Sequence, residues 1–245
     1  MQIITAAIIK GGTGKSSTTA ALAQAATKDG KRVLCIDMDA QGNLSFFIGA
    51  DQSQQGSYEL LHDAAPLPLI QATEQGIDII PASPDLATER TKAGTANRLH
   101  DAIQPLKRKY DFIFIDTPPQ MGELTFNALQ ASTGLLIPLE TDNSSLQGLY
   151  QITDIAKEIK QTNRKLKILG TILTRYDSRP KINRYIKDVI TEKGKENGAP
   201  FLMAIRAGVA IREAQAMQQS LFEYAPNSKP ALDYMKLYEQ IKGVK

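Results

Sequence analysis

Lys10-Gly11-Gly12-Thr13-Gly14-Lys15-Ser16-Ser17 decides the fold of this 245-residue chain. An apolar run, residues 3–9, stands directly before it, and an alanine-rich stretch, 16–29, directly after it. Strand, glycine turn and helix in that order make a phosphate loop. Glycines without Cβ let the backbone curl until successive N–H groups face one phosphate, and the following helix adds its positive N-terminal end. Lys15 is then placed for the β- and γ-phosphates of a nucleotide and the Ser16 hydroxyl for Mg²⁺. Gly11, Gly12, Thr13, Gly14 and Ser17 complete the cradle.

Outward from this loop, short apolar runs alternate with amphipathic stretches. Strands are predicted at 3–9, 32–37, 77–81, 112–116, 134–138, 168–173 and 201–205. Helices are predicted at 16–29, 96–110, 144–161, 181–195 and 232–241. The strands are continuous in Ile, Leu, Val and Phe rather than alternating, the pattern of strands buried on both faces. The expected fold is α/β, a doubly wound, mostly parallel sheet with helices on both faces, built as one domain over 1–245. Residues 51–56 and 196–200 read as surface loops.

Two acidic segments fall at strand ends. Asp37-Met38-Asp39-Ala40-Gln41-Gly42-Asn43 follows the second strand, and Asp116-Thr117-Pro118-Pro119 follows Phe112-Ile113-Phe114-Ile115. Open α/β sheets bind ligands at the carboxyl edge, so carboxylates there can face phosphate and metal. Asp116, after four apolar residues, is a Walker B arrangement suited to Mg²⁺. The alternative for either carboxylate is a helix cap.

Composition narrows the classes further. Apolar residues at 42% and charged residues at 22% exclude a disordered or fibrous chain. No apolar run approaches the roughly 20 residues that cross a bilayer, and the N-terminus has no basic segment of a signal peptide, so the expected location is the cytoplasm. The single cysteine, Cys35, excludes an internal disulfide framework and a clustered-thiolate metal site; it reads as a small buried strand residue. Net charge is only +3, yet residues 157–195 carry twelve Lys/Arg against four Asp/Glu. That asymmetry suits a polyanion-binding face, or a set of solvated helix faces.

The loop departs from the common phosphate-loop pattern: Ile9 stands where its first glycine belongs, followed by Lys10. In this form it resembles the deviant Walker A motif of the ParA/MinD superfamily. The resemblance extends over most of the chain. It includes the two acidic segments, which resemble switches I and II of ParA proteins, Ile80-Pro81-Ala82-Ser83-Pro84-Asp85-Leu86 with Glu89, Tyr110-Asp111, Leu173-Thr174-Arg175-Tyr176-Asp177-Ser178-Arg179 and Arg212-Glu213-Ala214.

The resemblance implies a slow Mg²⁺-dependent ATPase that works as a switch in plasmid or chromosome partition. Lys10 would reach phosphate across a homodimer interface, so that two subunits sandwich two ATP molecules. Asp39 would position the attacking water, and Asp37 would support the Mg²⁺ shell with Ser16 and Asp116. Thr174 would lie near the adenine pocket, unless it is an ordinary strand-end threonine. The ATP dimer would bind double-stranded DNA without sequence preference through Arg175, Arg179, Lys181, Arg184, Lys187, Arg206 and Arg212, associate with the nucleoid, and be released when a centromere-binding ParB-like partner stimulates hydrolysis.

One departure concerns Ile205-Arg206-Ala207-Gly208-Val209-Ala210, where the arginine that many chromosomal relatives carry at the last position is Ala210. The first strand begins almost at Met1, so no N-terminal helix-turn-helix is expected. A MinD-like membrane-positioning ATPase and a positioning factor for a protein cargo are the alternatives. The first needs an amphipathic C-terminal helix, and 234–245 carry too little exposed-looking apolar bulk, so stable membrane association is not expected. An iron–sulfur reductase on the related fold would need cluster-ligating cysteines, and Cys35 is in the wrong place.

Overall fold

The computed structural model describes residues 1–88, 95–142 and 144–244. Glu89, part of the resemblance above, lies outside them. In chain order the elements are β1 (Gln2–Ala6), α1 (Lys15–Lys28), β2 (Val33–Asp37), α2 (Asn43–Ile48), α3 (Ser57–Leu61), β3 (Gln71–Ala72), β4 (Asp78–Ile80), α4 (Arg98–Ala102) and β5 (Phe112–Asp116). There follow α5 (Glu123–Ala131), β6 (Gly134–Leu139), α6 (Ser144–Thr162), β7 (Lys167–Tyr176), α7 (Lys181–Glu196), β8 (Phe201–Arg206), α8 (Ala210–Ala216), α9 (Leu221–Tyr224) and α10 (Lys229–Ile241).

The eight strands form one sheet in the order β3-β4-β2-β5-β1-β6-β7-β8, parallel except for β3. From β1 the chain winds first to the side of β2 and β4, then returns to build β6, β7 and β8 on the other. The switch point therefore lies at β1. Ala6 pairs with Asp116, and Asp116 with Asp37. That register lines up the carboxyl ends of β1, β5 and β2, and so sets the phosphate loop beside both acidic segments.

Alternate strand residues serve opposite faces. Val33, Cys35, Phe112 and Phe114 pack with the alanines of α1 and with Tyr234 and Tyr238 of α10. Leu34, Ile36, Ile113 and Ile115 pack with α3, α4 and α5. Ala20, Ala21, Ala23, Ala25 and Ala26 are all buried, and their small size lets α1 lie close to both the sheet and α10. Two tyrosine hydroxyls tie these helices together: Tyr234 bonds Thr18 at 3.1 Å, and Tyr238 donates to Asp29 at 2.8 Å.

The α/β class and the parallel sheet agree with the sequence reading; some elements differ. The helix expected over 96–110 is only α4 followed by a 3₁₀ turn, Gln104–Leu106. Pro105 explains the break, since it has no N–H to donate to the Asp101 carbonyl one turn back. Strand β7 runs on to Tyr176 rather than stopping at residue 173. Its pairing with β8 slips between Leu173 and Tyr176, and Arg175 there has a left-handed backbone, φ 50°. This is a bulge, a device that re-aims side chains beside functional sites.

Candidate functional site

The loop between β1 and α1 has the expected cradle form. Gly12 (φ 77°) and Gly14 (φ 81°) are left-handed, and a Cβ on Gly14 would come within 3.3 Å of the Thr174 side chain. A larger residue there would be strained in its backbone and crowded against Thr174. Lys15 is buried and donates from Nζ to the Lys10 carbonyl at 3.0 Å. Burial lowers the pKa of its ammonium, and the carboxylates of Asp116 and Asp39 oppose that shift.

Asp116 is wholly buried, and neither carboxylate oxygen has a hydrogen-bond partner. Burial and the neighbouring Asp37 push its pKa well above the ordinary carboxylate range, with the Ser16 side chain and the Lys15 charge pulling the other way. An unsatisfied buried carboxylate is costly. A hydrated divalent cation beside Ser16 and Asp116 would satisfy it, so these residues fit Mg²⁺.

Asp37 is equally buried but fully engaged. One oxygen accepts from the Asp39 N–H (3.1 Å), the other from the Ser45 N–H (2.9 Å) and hydroxyl (2.8 Å). The Ser45 hydroxyl in turn accepts from the Ala82 N–H at 2.9 Å. Burial still raises the Asp37 pKa to about 6, against these bonds. The structure therefore makes Asp37 a knot joining the end of β2 to α2 and to the chain leaving β4. Asp39 lines the open cleft and accepts from the Gln41 N–H at 3.1 Å.

The cleft above the loop has a volume of about 440 Å³. Thr174, turned inward at the bulge, has its one hydroxyl hydrogen within reach of the carbonyls of Thr13 (2.8 Å) and Leu139 (3.2 Å), so its hydroxyl braces the loop from below. The far wall comes from residues the sequence reading missed. Phe47 on α2 and Ile211 on α8 give it an apolar surface suited to a flat base, and Gln215 donates to the Ser17 hydroxyl at 2.9 Å. The i, i+4 spacing of Ile211 and Gln215 is the sequence signal that marks them.

The seven basic residues expected on one DNA face divide. Arg179, Lys181, Arg184 and Lys187 lie on α7 and its approach. Arg179 forks onto Asp177 (2.6 Å at the closest), Arg184 donates to the Ser178 carbonyl at 2.6 Å, and the Lys187 ammonium sits 5.7 Å from the Phe201 ring centroid. Arg206 lines the same groove as Arg179, with its guanidinium held by Asp233 at 2.7 Å. Arg175 and Arg212 line the nucleotide-sized cleft instead. The bulge turns Arg175 back to the Gly12 carbonyl and Glu140, and α8 brings Arg212 to the cleft wall. Lys10, expected to reach outward, is paired within its own chain with Asp142, and Glu140 lies 4.0 Å away.

Among the described residues no helix is long and apolar enough to cross a membrane. Cys35 is fully buried, and burial raises its thiol pKa well above the ordinary value.

A family model described as an AAA domain matches residues 1–168. The chain is 34% identical to the chromosome partitioning protein ParA of Myxococcus xanthus, over 95% of this chain and 84% of that one. It is 31% identical to the chromosome-partitioning ATPase Soj of Thermus thermophilus, over 95% and 92%. Among solved structures it is similar to cobyrinic acid a,c-diamide synthase from Mycobacterium smegmatis with bound ADP and magnesium. That pair shares 29% identity, covers 98% of this chain and 93% of that one, and has a TM-score of 0.84.

Proposed function

Because the chain belongs to the ParA/Soj family of partition ATPases, we propose that residues 1–245 form one Mg²⁺-dependent ATPase switch that dimerises on ATP, binds DNA without sequence preference, and is released by a ParB-like partner. The observation that carries the catalytic part is Asp116, a buried carboxylate without a hydrogen-bond partner, set between Ser16, Lys15 and Asp37.

Bound ATP and Mg²⁺ would supply a γ-phosphoryl group open to in-line attack by water, a reaction in which positioning and charge neutralisation do most of the catalysis. Lys15 enters this site already buried and directed along the loop. Ser16 and Asp116 would hold the metal, and Asp37 keeps the first acidic segment in place through Ser45. Asp39, with one oxygen anchoring Gln41, orients the water. Thr174 fixes the loop carbonyls, Phe47 and Ile211 flank the base, and Lys10 reaches the partner subunit's nucleotide in a sandwich dimer.

The DNA face in this reading is α7 and its approach: Arg179, Lys181, Arg184 and Lys187, with Arg206 at the edge of the same groove. The protein then works in the cytoplasm on the nucleoid. The packing of α10 disfavours the membrane-positioning alternative, since Tyr234, Leu237, Tyr238 and Ile241 spend the helix's apolar face inside the protein.

The test is fluorescence anisotropy of a random-sequence duplex with ATP, with ADP and without nucleotide, across a salt titration. ATP-dependent binding that weakens steeply with salt is the expected result. No binding in any state would sink the DNA reading while leaving the ATPase switch, and would favour a protein cargo.

A further inference from the structure

The connection between β6 and α6 sets two carboxylates, Glu140 and Asp142, against the phosphate loop. Asp142 takes the Lys10 ammonium. Glu140 lies 4.0 Å from that ammonium and also takes the Arg175 guanidinium, whose other contact is the Gly12 carbonyl. Two cations bordering the loop, Lys10 and Arg175, are thus held by two acids of their own chain.

Asp142 is not a loose surface acid. One of its oxygens accepts from the Ser144 hydroxyl (2.8 Å) and from the Ser145 N–H (3.0 Å) and hydroxyl (3.1 Å), so it caps the start of α6 and is fixed there. Partial burial works to raise its pKa, but the bonds from Lys10 and Ser144 prevail and hold it below the usual range. The Lys10 side chain is only 23% exposed. A lysine so placed must exchange one anionic partner for another before it can serve a second subunit.

We propose that Asp142 and Glu140 are positioning residues that hold Lys10 and Arg175 within their own protomer, and that this clasp sets the nucleotide concentration at which two protomers associate. The inference rests on the sandwich-dimer reading above. Triphosphate competes with the two carboxylates for the same cations, so weakening the acids lowers the threshold for dimerisation.

Asp142→Asn tests this cleanly, because the amide oxygen still caps α6 while the charge that holds Lys10 is gone. Sedimentation velocity across a titration of a nonhydrolysable ATP analogue with Mg²⁺ reads the dimer fraction. For a partly exposed ion pair, half-maximal dimerisation should move to about two- to fivefold lower analogue concentration. The difference should shrink in high salt, and ADP binding by the monomer should not change. A purely structural role for Asp142 would instead weaken ADP binding and lower the melting temperature. Glu140→Gln should shift the threshold in the same direction and carries the test if Asp142→Asn folds poorly. A wild-type threshold in both variants, with Lys10→Ala unable to dimerise, overturns the clasp and leaves the sandwich dimer standing. Wild-type dimerisation by Lys10→Ala overturns both.

Discussion

Asp116 and Asp37 stand opposite each other at the ends of β5 and β2, yet protein donors serve only one of them. Asp37 accepts three hydrogen bonds and Asp116 accepts none. The two carboxylates are equally buried, so the difference lies in what each holds: Asp37 holds the backbone, and the Asp116 oxygens are left without a protein donor, as the proposed metal role requires.

Asp116→Asn is therefore expected to leave the nucleotide-free protein at least as stable as wild type while lowering Mg²⁺-dependent hydrolysis by about a hundredfold or more. Melting curves with and without an ATP analogue and Mg²⁺ check this. The ligand pair should raise the wild-type midpoint and leave the variant's almost unmoved.

Asp37 gives a pH dependence with a definite sign. Its folded-state pKa, about 6, lies above the ordinary 3.8, so between those values the folded protein retains a proton that the unfolded chain has released. Its contribution is fully present below about pH 4 and is lost as pH rises through about 6. Urea unfolding of nucleotide-free Asp37→Asn should show a stability relative to wild type that improves across this window by up to about 3 kcal/mol. A pH-independent difference would refute the burial argument.

Thr174→Val removes the hydroxyl at almost constant volume and leaves the Thr13 and Leu139 carbonyls short of a donor, at a cost of about 1–3 kcal/mol. ATP affinity, read by titration calorimetry, should fall, and Thr174→Ser should restore most of it. Equal affinity in all three proteins would mean that the loop does not need this brace.

Asp39→Ala should still bind ATP and accumulate as a dimer that does not hydrolyse it, whereas Lys15→Ala should lose nucleotide binding. Size-exclusion chromatography with light scattering separates these outcomes. Normal turnover by Asp39→Ala would remove Asp39 from the role of orienting water.

Lys181→Ala and Lys187→Ala should each reduce the salt slope of ATP-dependent DNA binding by about 1. Arg175→Ala and Arg212→Ala should act on nucleotide affinity first. Anisotropy at fixed, saturating nucleotide distinguishes the two groups.

The loop and the strand-end carboxylates were legible because each lies within a few residues of an unmistakable strand, and the parallel register then brings them together with little further information. The sheet followed from runs such as Phe112-Ile113-Phe114-Ile115. What could not be read was longer in range or finer in geometry. Phe47 and Ile211 become one wall only after α2 and α8 meet, more than a hundred residues apart in sequence. Charge counting grouped Arg175 with Arg179, but a left-handed backbone at one residue sent them to different surfaces. Two of the three bonds on Asp37 come from Ser45, which no strand-end pattern identifies.

The irregular pairing between Leu173 and Tyr176 makes the cleft a matter of residue count as well as residue type. Deleting one residue there would restore plain strand alternation and exchange the inward and outward side chains that follow. The residues between those two pairs are Thr174 and Arg175 themselves, so the deletion would take away either the brace or the guanidinium and change the backbone that directs the other. In this part of the chain a change of length is a larger mutation than a change of charge.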